Sequence, residues 1–166
     1  MTNTQEITEI WARLTDWFNE ADEYFIEETF NPPADEEALS ELEELIGAEL
    51  PADLKASLLV YGGCAFDTFQ LIDQTWALLS AEAIAQFYRD FQESQDVDSS
   101  LLPIARSGGG DYLLLNAQTG ELQKMVREGG DLSTLAPDYL SWLRSFCEEV
   151  ESGSLEIDEG AGLYRS

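Results

Sequence analysis

Apolar residues in the first third of the chain recur at steps of three and four. From Gln5 to Phe25 the series Ile7, Ile10, Trp11, Leu14, Trp17, Phe18, Ala21 and Phe25 gives a helix one inward face and leaves Glu6, Glu9, Asp16, Glu20 and Glu23 on the other. Asn3 followed by Glu6 has the form of a capping box at its start. Pro32 and Pro33 break the chain and open a second helix, with Leu39, Leu42, Leu45 and Ile46 facing inward and Gly47 as its stop. Leu50-Pro51 restarts the chain as a short third helix through Leu54, Leu58 and Leu59. It ends at Tyr61-Gly62-Gly63, where glycine tolerates positive φ.

Beyond Gly63 the pattern becomes that of strands. Phe66 to Ile72 and Thr75 to Leu79 are aromatic and aliphatic runs around a turn at Asp73-Gln74, which predicts a hairpin. Ser80 caps a helix whose face is Ile84, Phe87, Tyr88 and Phe91, and the polar stretch Glu93 to Ser100 closes it. Leu101 to Ala105, Tyr112 to Asn116 and Glu121 to Val126 read as three further strands, the last two joined by Ala117-Gln118-Thr119-Gly120. Ser133 or Thr134 is expected to cap a final helix carrying Ala136, Tyr139, Leu140, Leu143, Phe146, Cys147 and Val150 inward. The order of elements lacks βαβ alternation. It predicts an α+β fold: a mixed or antiparallel sheet of about five strands, covered by helices on one face. Residues 1–150 read as one domain and 151–166 as an acidic tail, extended or mobile.

Composition narrows the function. Of 166 residues, 34 are acidic and 8 basic, a formal net charge of −26, and histidine is absent. A chain of this size buries roughly 70% of its unfolded surface, and 44% hydrophobic with 11% aromatic content supplies a core. The charge repels phosphate backbones and anionic membranes, so neither nucleic acid nor membrane is an expected partner. Without histidine there is no Ser-His-Asp or Cys-His dyad and no usual zinc site. The charge fits either a cationic partner or solubility alone. It is also uneven: residues 1–53 hold 16 acids and one base, 54–147 hold 12 and 6, and 148–166 hold 6 and 1. Cys64 and Cys147, in no metal-ligand spacing, read as reduced thiols. MTNTQEITEI has neither the basic nor the apolar segment of a signal peptide, so a soluble cytoplasmic protein is expected, with export lacking a cleavable signal as the alternative.

Few motifs carry chemistry. Arg106 to Asp111, with Gly108-Gly109-Gly110, could cradle a phosphate, but a strand follows it where a phosphate loop needs a helix and a Gly-Lys-Ser/Thr end, so it reads as a turn. Asp96, Asp98 and Ser100 alternate like calcium ligands, yet Leu101 and Ser107 stand where glycine and glutamate are required. Catalytic, metal and cofactor residues are therefore expected to be none. Trp11, Trp17 and Trp142 lie on helical apolar faces, whereas Trp76 sits in a short strand beside Asp73 where a sheet face could meet a partner. Glu36, Glu37, Glu41 and Glu44 give the second helix an acidic outer face that could steer a cation. The candidate partner-binding residues are Asp73, Trp76, Asp96, Asp98, Asp111, Glu36 and Glu37.

The stretch Asn31 to Gly63 resembles the opening of the SUKH superfamily, with Pro32-Pro33, Leu42-Glu43, Gly47, Leu50-Pro51 and Gly62-Gly63 at the family's spacing. Trp76 to Ser80, Leu102 to Ala105 through Gly110-Asp111-Tyr112 to Thr119-Gly120, and Leu135 to Tyr139 continue the resemblance in order to about Val150. Tyr61 and Tyr139 depart from the Asn-type and Phe residues usual there. The resemblance implies a SUKH-like fold and a non-enzymatic protein of the kind that neutralises polymorphic toxins, frequently nucleases. Such toxins tend to be basic because they grip phosphates, which agrees with the charge. The alternative is a scaffold like the fungal cell-wall-synthesis regulators of the superfamily, with the first helix and the tail as recruitment segments. A small-molecule or metal-binding enzyme using the Gly108 to Asp111 loop is a third class.

Overall fold

The computed structural model describes the chain outside residues 1, 65–68, 72–73, 95–96, 108, 127–130, 154, 159–161 and 166. At its start the Thr2 hydroxyl accepts the Gln5 amide at 3.1 Å while the Thr2 amide donates to Gln5 Oε1 at 2.9 Å. This reciprocal cap sits one residue before the expected one and begins α1 (Asn3–Ala21). The helix does not run on to Phe25. Asp22 Oδ1 accepts the Tyr24 amide at 3.0 Å, a local bond that competes with helical pairing, and the chain restarts as α2 (Phe25–Thr29).

Asp35 caps α3 (Glu36–Ile46) by accepting the Ala38 amide at 2.7 Å, and Gly47 ends it with φ 72°. After α4 (Ala52–Val60) the Gly62-Gly63 pair joins three segments. The Asn31 amide donates to Gly63 O at 2.9 Å, and the Gly62 amide donates to Pro32 O at 3.0 Å. A Cβ on Gly62 would lie 2.5 Å from Pro32 O, and one on Gly63, whose φ is 84°, would lie 2.6 Å from backbone of Leu79 and Ser80. Only glycine lets the backbones approach this closely.

The sheet is antiparallel throughout and ordered as in sequence: β1 (Phe69–Leu71), β2 (Gln74–Leu78), β3 (Leu101–Ser107), β4 (Tyr112–Asn116), β5 (Leu122–Met125) and β6 (Leu132–Ala136). Five of these strands fall on the expected runs; β6 falls where Ser133 or Thr134 was expected to cap a helix. Leu132–Ala136 pairs with β5 instead, and Asp138 caps α6 (Tyr139–Glu151) by accepting the Ser141 amide at 2.7 Å. Between β2 and β3 lies α5 (Ala81–Ser94), where Ser80 Oγ accepts the Ala83 amide at 3.1 Å, as expected of that cap. The tail includes a hairpin, β7 (Leu155–Asp158) with β8 (Gly162–Arg165), and β8 lies against β1.

Alternation along β4 separates two faces. Leu113 and Leu115 point into the main core, with Ile7, Ile10 and Leu14 of α1, Leu54 of α4 and Leu143 of α6. Leu114 and Tyr112 point the other way, into a smaller cluster with Val97, Leu101, Phe91 and Met125. On that second face α5 covers the β3–β4 end, with the Phe87 and Phe91 rings 5.6 and 5.0 Å from Tyr112. Helices thus lie on both faces. The β5–β6 end of the second face carries less cover.

Candidate interaction surface

Helix α1 buries Ile7, Trp11, Leu14 and Phe18 and leaves Glu9, Asp16 and Glu20 exposed, while α3 exposes Glu36, Glu37, Glu41 and Glu44. Three of the cations are held in ion pairs: Arg13 with Glu151, Arg144 with Glu6 at 2.8 Å and Lys55 with Glu43 at 3.4 Å. Pairs this exposed contribute little stability. They do remove three positive charges from a surface that has few, so the outward field of the N-terminal helices is strongly negative.

The five predicted contact residues among the described residues do not converge on one site. Glu36 and Glu37 are exposed in the first turn of α3, where the helix dipole favours negative charge. Asp98 is exposed before β3, and the Ser100 amide and hydroxyl donate to its Oδ1 at 2.9 and 2.7 Å. Those two bonds hold its carboxyl below the usual range. Asp111 is at the other end of β3, buried in the β3–β4 turn, with its amide donating to Ser107 Oγ at 3.1 Å and its carbonyl accepting the Ser107 amide at 2.9 Å. Ser107 and Asp111 thereby close the connection between two strands, as the sequence suggested. Trp76 does not lie on an open sheet face: it is 3% exposed and packs in the main core. The period-two pattern placed it on a strand but could not say which face the helices cover. Asp73 and Asp96 lie outside the described residues.

A set of buried polar groups joins α1, α4 and α6. The Trp11 indole N–H donates to Ser57 Oγ at 2.8 Å, and Ser57 Oγ lies 2.7 Å from the Tyr139 hydroxyl. Asp53 accepts the Leu140 amide on Oδ2 at 3.1 Å and the Leu54 amide on Oδ1 at 2.9 Å. Burial pushes its carboxyl pKa up, and those two amides pull it back. Burial also raises the Tyr139 phenol far above its ordinary value and lifts the Cys147 thiol to about 11. These groups bond to helix ends and to each other rather than facing a cavity, so they bind the three helices together. A groove of about 270 Å³ between α3 and α5 is lined by Ala38, Leu42, Ala81 and Ala85 with Glu41, Glu82 and Arg89. Among the described residues no group of three or more His, Cys, Asp or Glu is placed to hold a metal ion, and no helix is long and apolar enough to cross a membrane.

One feature was hidden from sequence reasoning because β6 was. Across the second face Arg106, Tyr112, Met125 and Leu132 stand in register on four successive strands. Arg106 is exposed and lies over the Phe87 ring at 5.5 Å; Tyr112 and Met125 are half-buried; Leu132 is 49% exposed. No local signal marks β6: a register shift opposite Leu122 and Gln123 breaks any period-two face along it, and only the pairing with β5 makes Leu132–Ala136 a strand.

Residues 33–145 match the family described as SMI1 / KNR4 family (SUKH-1). The chain belongs to this family. The glycine pair that admits Pro32 against the α4 terminus, and the β3–β4 hairpin, are therefore parts of a SUKH fold, while α1 lies before the matched span yet supplies Ile7, Trp11 and Leu14 to the same core. A search of curated proteins finds no match to this SUKH chain.

Proposed function

We propose that this SUKH-family chain is a non-catalytic cytoplasmic immunity protein that binds and neutralises a cognate basic toxin of nuclease type. The observation that carries the reading is the family membership of residues 33–145, since the SUKH superfamily includes immunity proteins. The net charge of −26 supports it: a nuclease holds phosphates with Lys and Arg, and a surface of opposite sign accelerates encounter with that groove and covers it. Of the residues expected to face a partner, Glu36, Glu37 and Asp98 are exposed, as steering of a cationic surface requires. The test is co-purification of the tagged protein with an inactivated form of the product of the adjacent gene, followed by nuclease assay of the active form with and without the partner. A stable complex and loss of nuclease activity are expected. Absence of a complex with a basic toxin overturns the reading.

The scaffold alternative treats α1 as a detachable recruitment segment. Ile7 and Leu14, each 0% exposed, and Trp11 at 1% argue against that form of it, because deleting α1 would open the core rather than leave it intact.

A further inference from the structure

The β5–β6 end of the second sheet face forms a shelf beside α5. Its wall is the half-buried pair Phe87 and Phe91, whose rings contact Tyr112. Its floor runs in register from the half-buried Tyr112 and Met125 to the exposed Leu132. Aromatic residues, Met and Arg are the side chains enriched at the centres of protein interfaces, where charge is depleted. Around this strip the described surface carries exposed carboxylates, Asp90 on α5 between the two phenylalanines and Asp98 after Val97 of the same apolar cluster, while exposed Arg106 closes its β3 end over the Phe87 ring. Lys124, between Gln123 and Met125, is directed to the opposite face by its pairing with Leu113. An apolar centre with a carboxylate rim is complementary to an apolar patch ringed by Lys and Arg. A second copy of this chain is a poor occupant, since two molecules of charge −26 repel.

We propose that this shelf is the contact surface for a basic protein partner, whose apolar side chains lie on Tyr112, Met125 and Leu132 while its cations meet Asp90 and Asp98. The assignment rests on the immunity reading and specifies where the toxin docks: on the sheet face beside α5 rather than on the acidic outer faces of α1 and α3. Those outer faces then act at long range, raising the encounter rate, and the shelf sets the lifetime of the complex.

The experiment is a nuclear magnetic resonance titration of the ¹⁵N-labelled full chain with the peptide acetyl-Lys-Phe-Lys-Phe-Lys-amide and, separately, with its Glu-for-Lys counterpart. The cationic peptide is expected to shift the amides of Tyr112, Met125, Leu132 and the Phe87–Phe91 turn, and the anionic peptide to shift none of them. The double substitution Met125→Glu with Leu132→Glu should weaken the cationic peptide about tenfold or more, the scale of losing an interface centre. Glu9→Lys with Glu20→Lys, both exposed on α1, should leave it within about twofold, as expected of charges outside the contact. Thermal melts of both variants check that the fold is kept. Shifts confined to α1 and α3, or unchanged affinity in the Met125/Leu132 variant, overturn the assignment. The product of the adjacent gene separates the two readings. If it binds wild type and the Met125/Leu132 variant equally, the shelf falls and the immunity reading stands; if it fails to bind while the peptide still maps to the shelf, the immunity reading falls and the surface stands.

Discussion

Ser57 is a small residue with a large structural duty. Its hydroxyl is the shared partner of the Trp11 indole N–H and the Tyr139 hydroxyl, and all three side chains are at most 3% exposed. Ser57→Ala removes one oxygen and leaves two buried polar groups facing each other without it. The expected loss is about 1–3 kcal/mol, read as a lower midpoint in urea with an unchanged slope; a variant as stable as wild type would show that water replaces the hydroxyl. Asp53 makes a different prediction because it titrates. Burial raises its folded pKa above the ordinary 3.8, so the folded state holds this proton more tightly than the unfolded one. The stability this contributes is fully present below the ordinary value and is lost as pH rises through the folded value. Asp98 and Glu121, whose folded values are lowered by the Ser100 and Thr134 bonds, act in the opposite sense, losing stability as pH falls. Comparing wild type with Asp53→Asn isolates the first contribution: the advantage of wild type in urea should grow as pH is lowered from neutrality toward the ordinary aspartate value. A difference independent of pH would remove Asp53 as its source.

At the level of elements, glycines with the same sign of φ have different consequences. Gly47 and Gly63 have φ of 72° and 84°, but a Cβ on Gly47 meets nothing within 4 Å, while one on Gly63 meets the Leu79–Ser80 backbone at 2.6 Å. Gly47→Ala should therefore cost only the left-handed penalty, about 1–2 kcal/mol. Gly63→Ala adds a backbone overlap of the kind that costs roughly a further 1–3 kcal/mol and should shift the end of β2; equal melting temperatures for the two variants would contradict the described packing. The same contrast marks what was legible in the sequence. Turn and cap chemistry is local, so Gly47, Ser80 and the Gly62-Gly63 stop could be read from their neighbours. The inner faces of α3, α5 and α6 could be read from period alone. The Asp22 break was local too, but its carboxylate competes with a strong helical pattern and wins only through the Tyr24 amide. β6 was not legible, because Ser133 and Thr134 suit a helix cap as well as a strand edge, and the choice is made by β5, several residues away. Which sheet face is covered was not legible either. That decided against Trp76 as an exposed contact and brought Tyr112, Met125 and Leu132 forward.

For the whole molecule, salt should act on stability and association in opposite directions. Among the described residues three ion pairs are formed, all at partly exposed positions, and they contribute little. The dominant electrostatic effect on folding is then repulsion within a charge of −26, most of it in residues 1–53. Screening shortens from about 30 Å at 0.01 M to about 3 Å at 1 M, so the melting temperature should rise over that range in sodium chloride. A protein held together by its surface pairs would melt lower instead. Encounter with a basic partner depends on the same field but gains from it, so the association rate should fall steeply over the same salt range. The dissociation rate, governed by the apolar shelf, should change much less. Stopped-flow association and competition-based dissociation with the adjacent gene product measure the two rates separately. If dissociation carries most of the salt dependence, the carboxylates themselves hold the partner, and the division between steering helices and an apolar docking face is wrong.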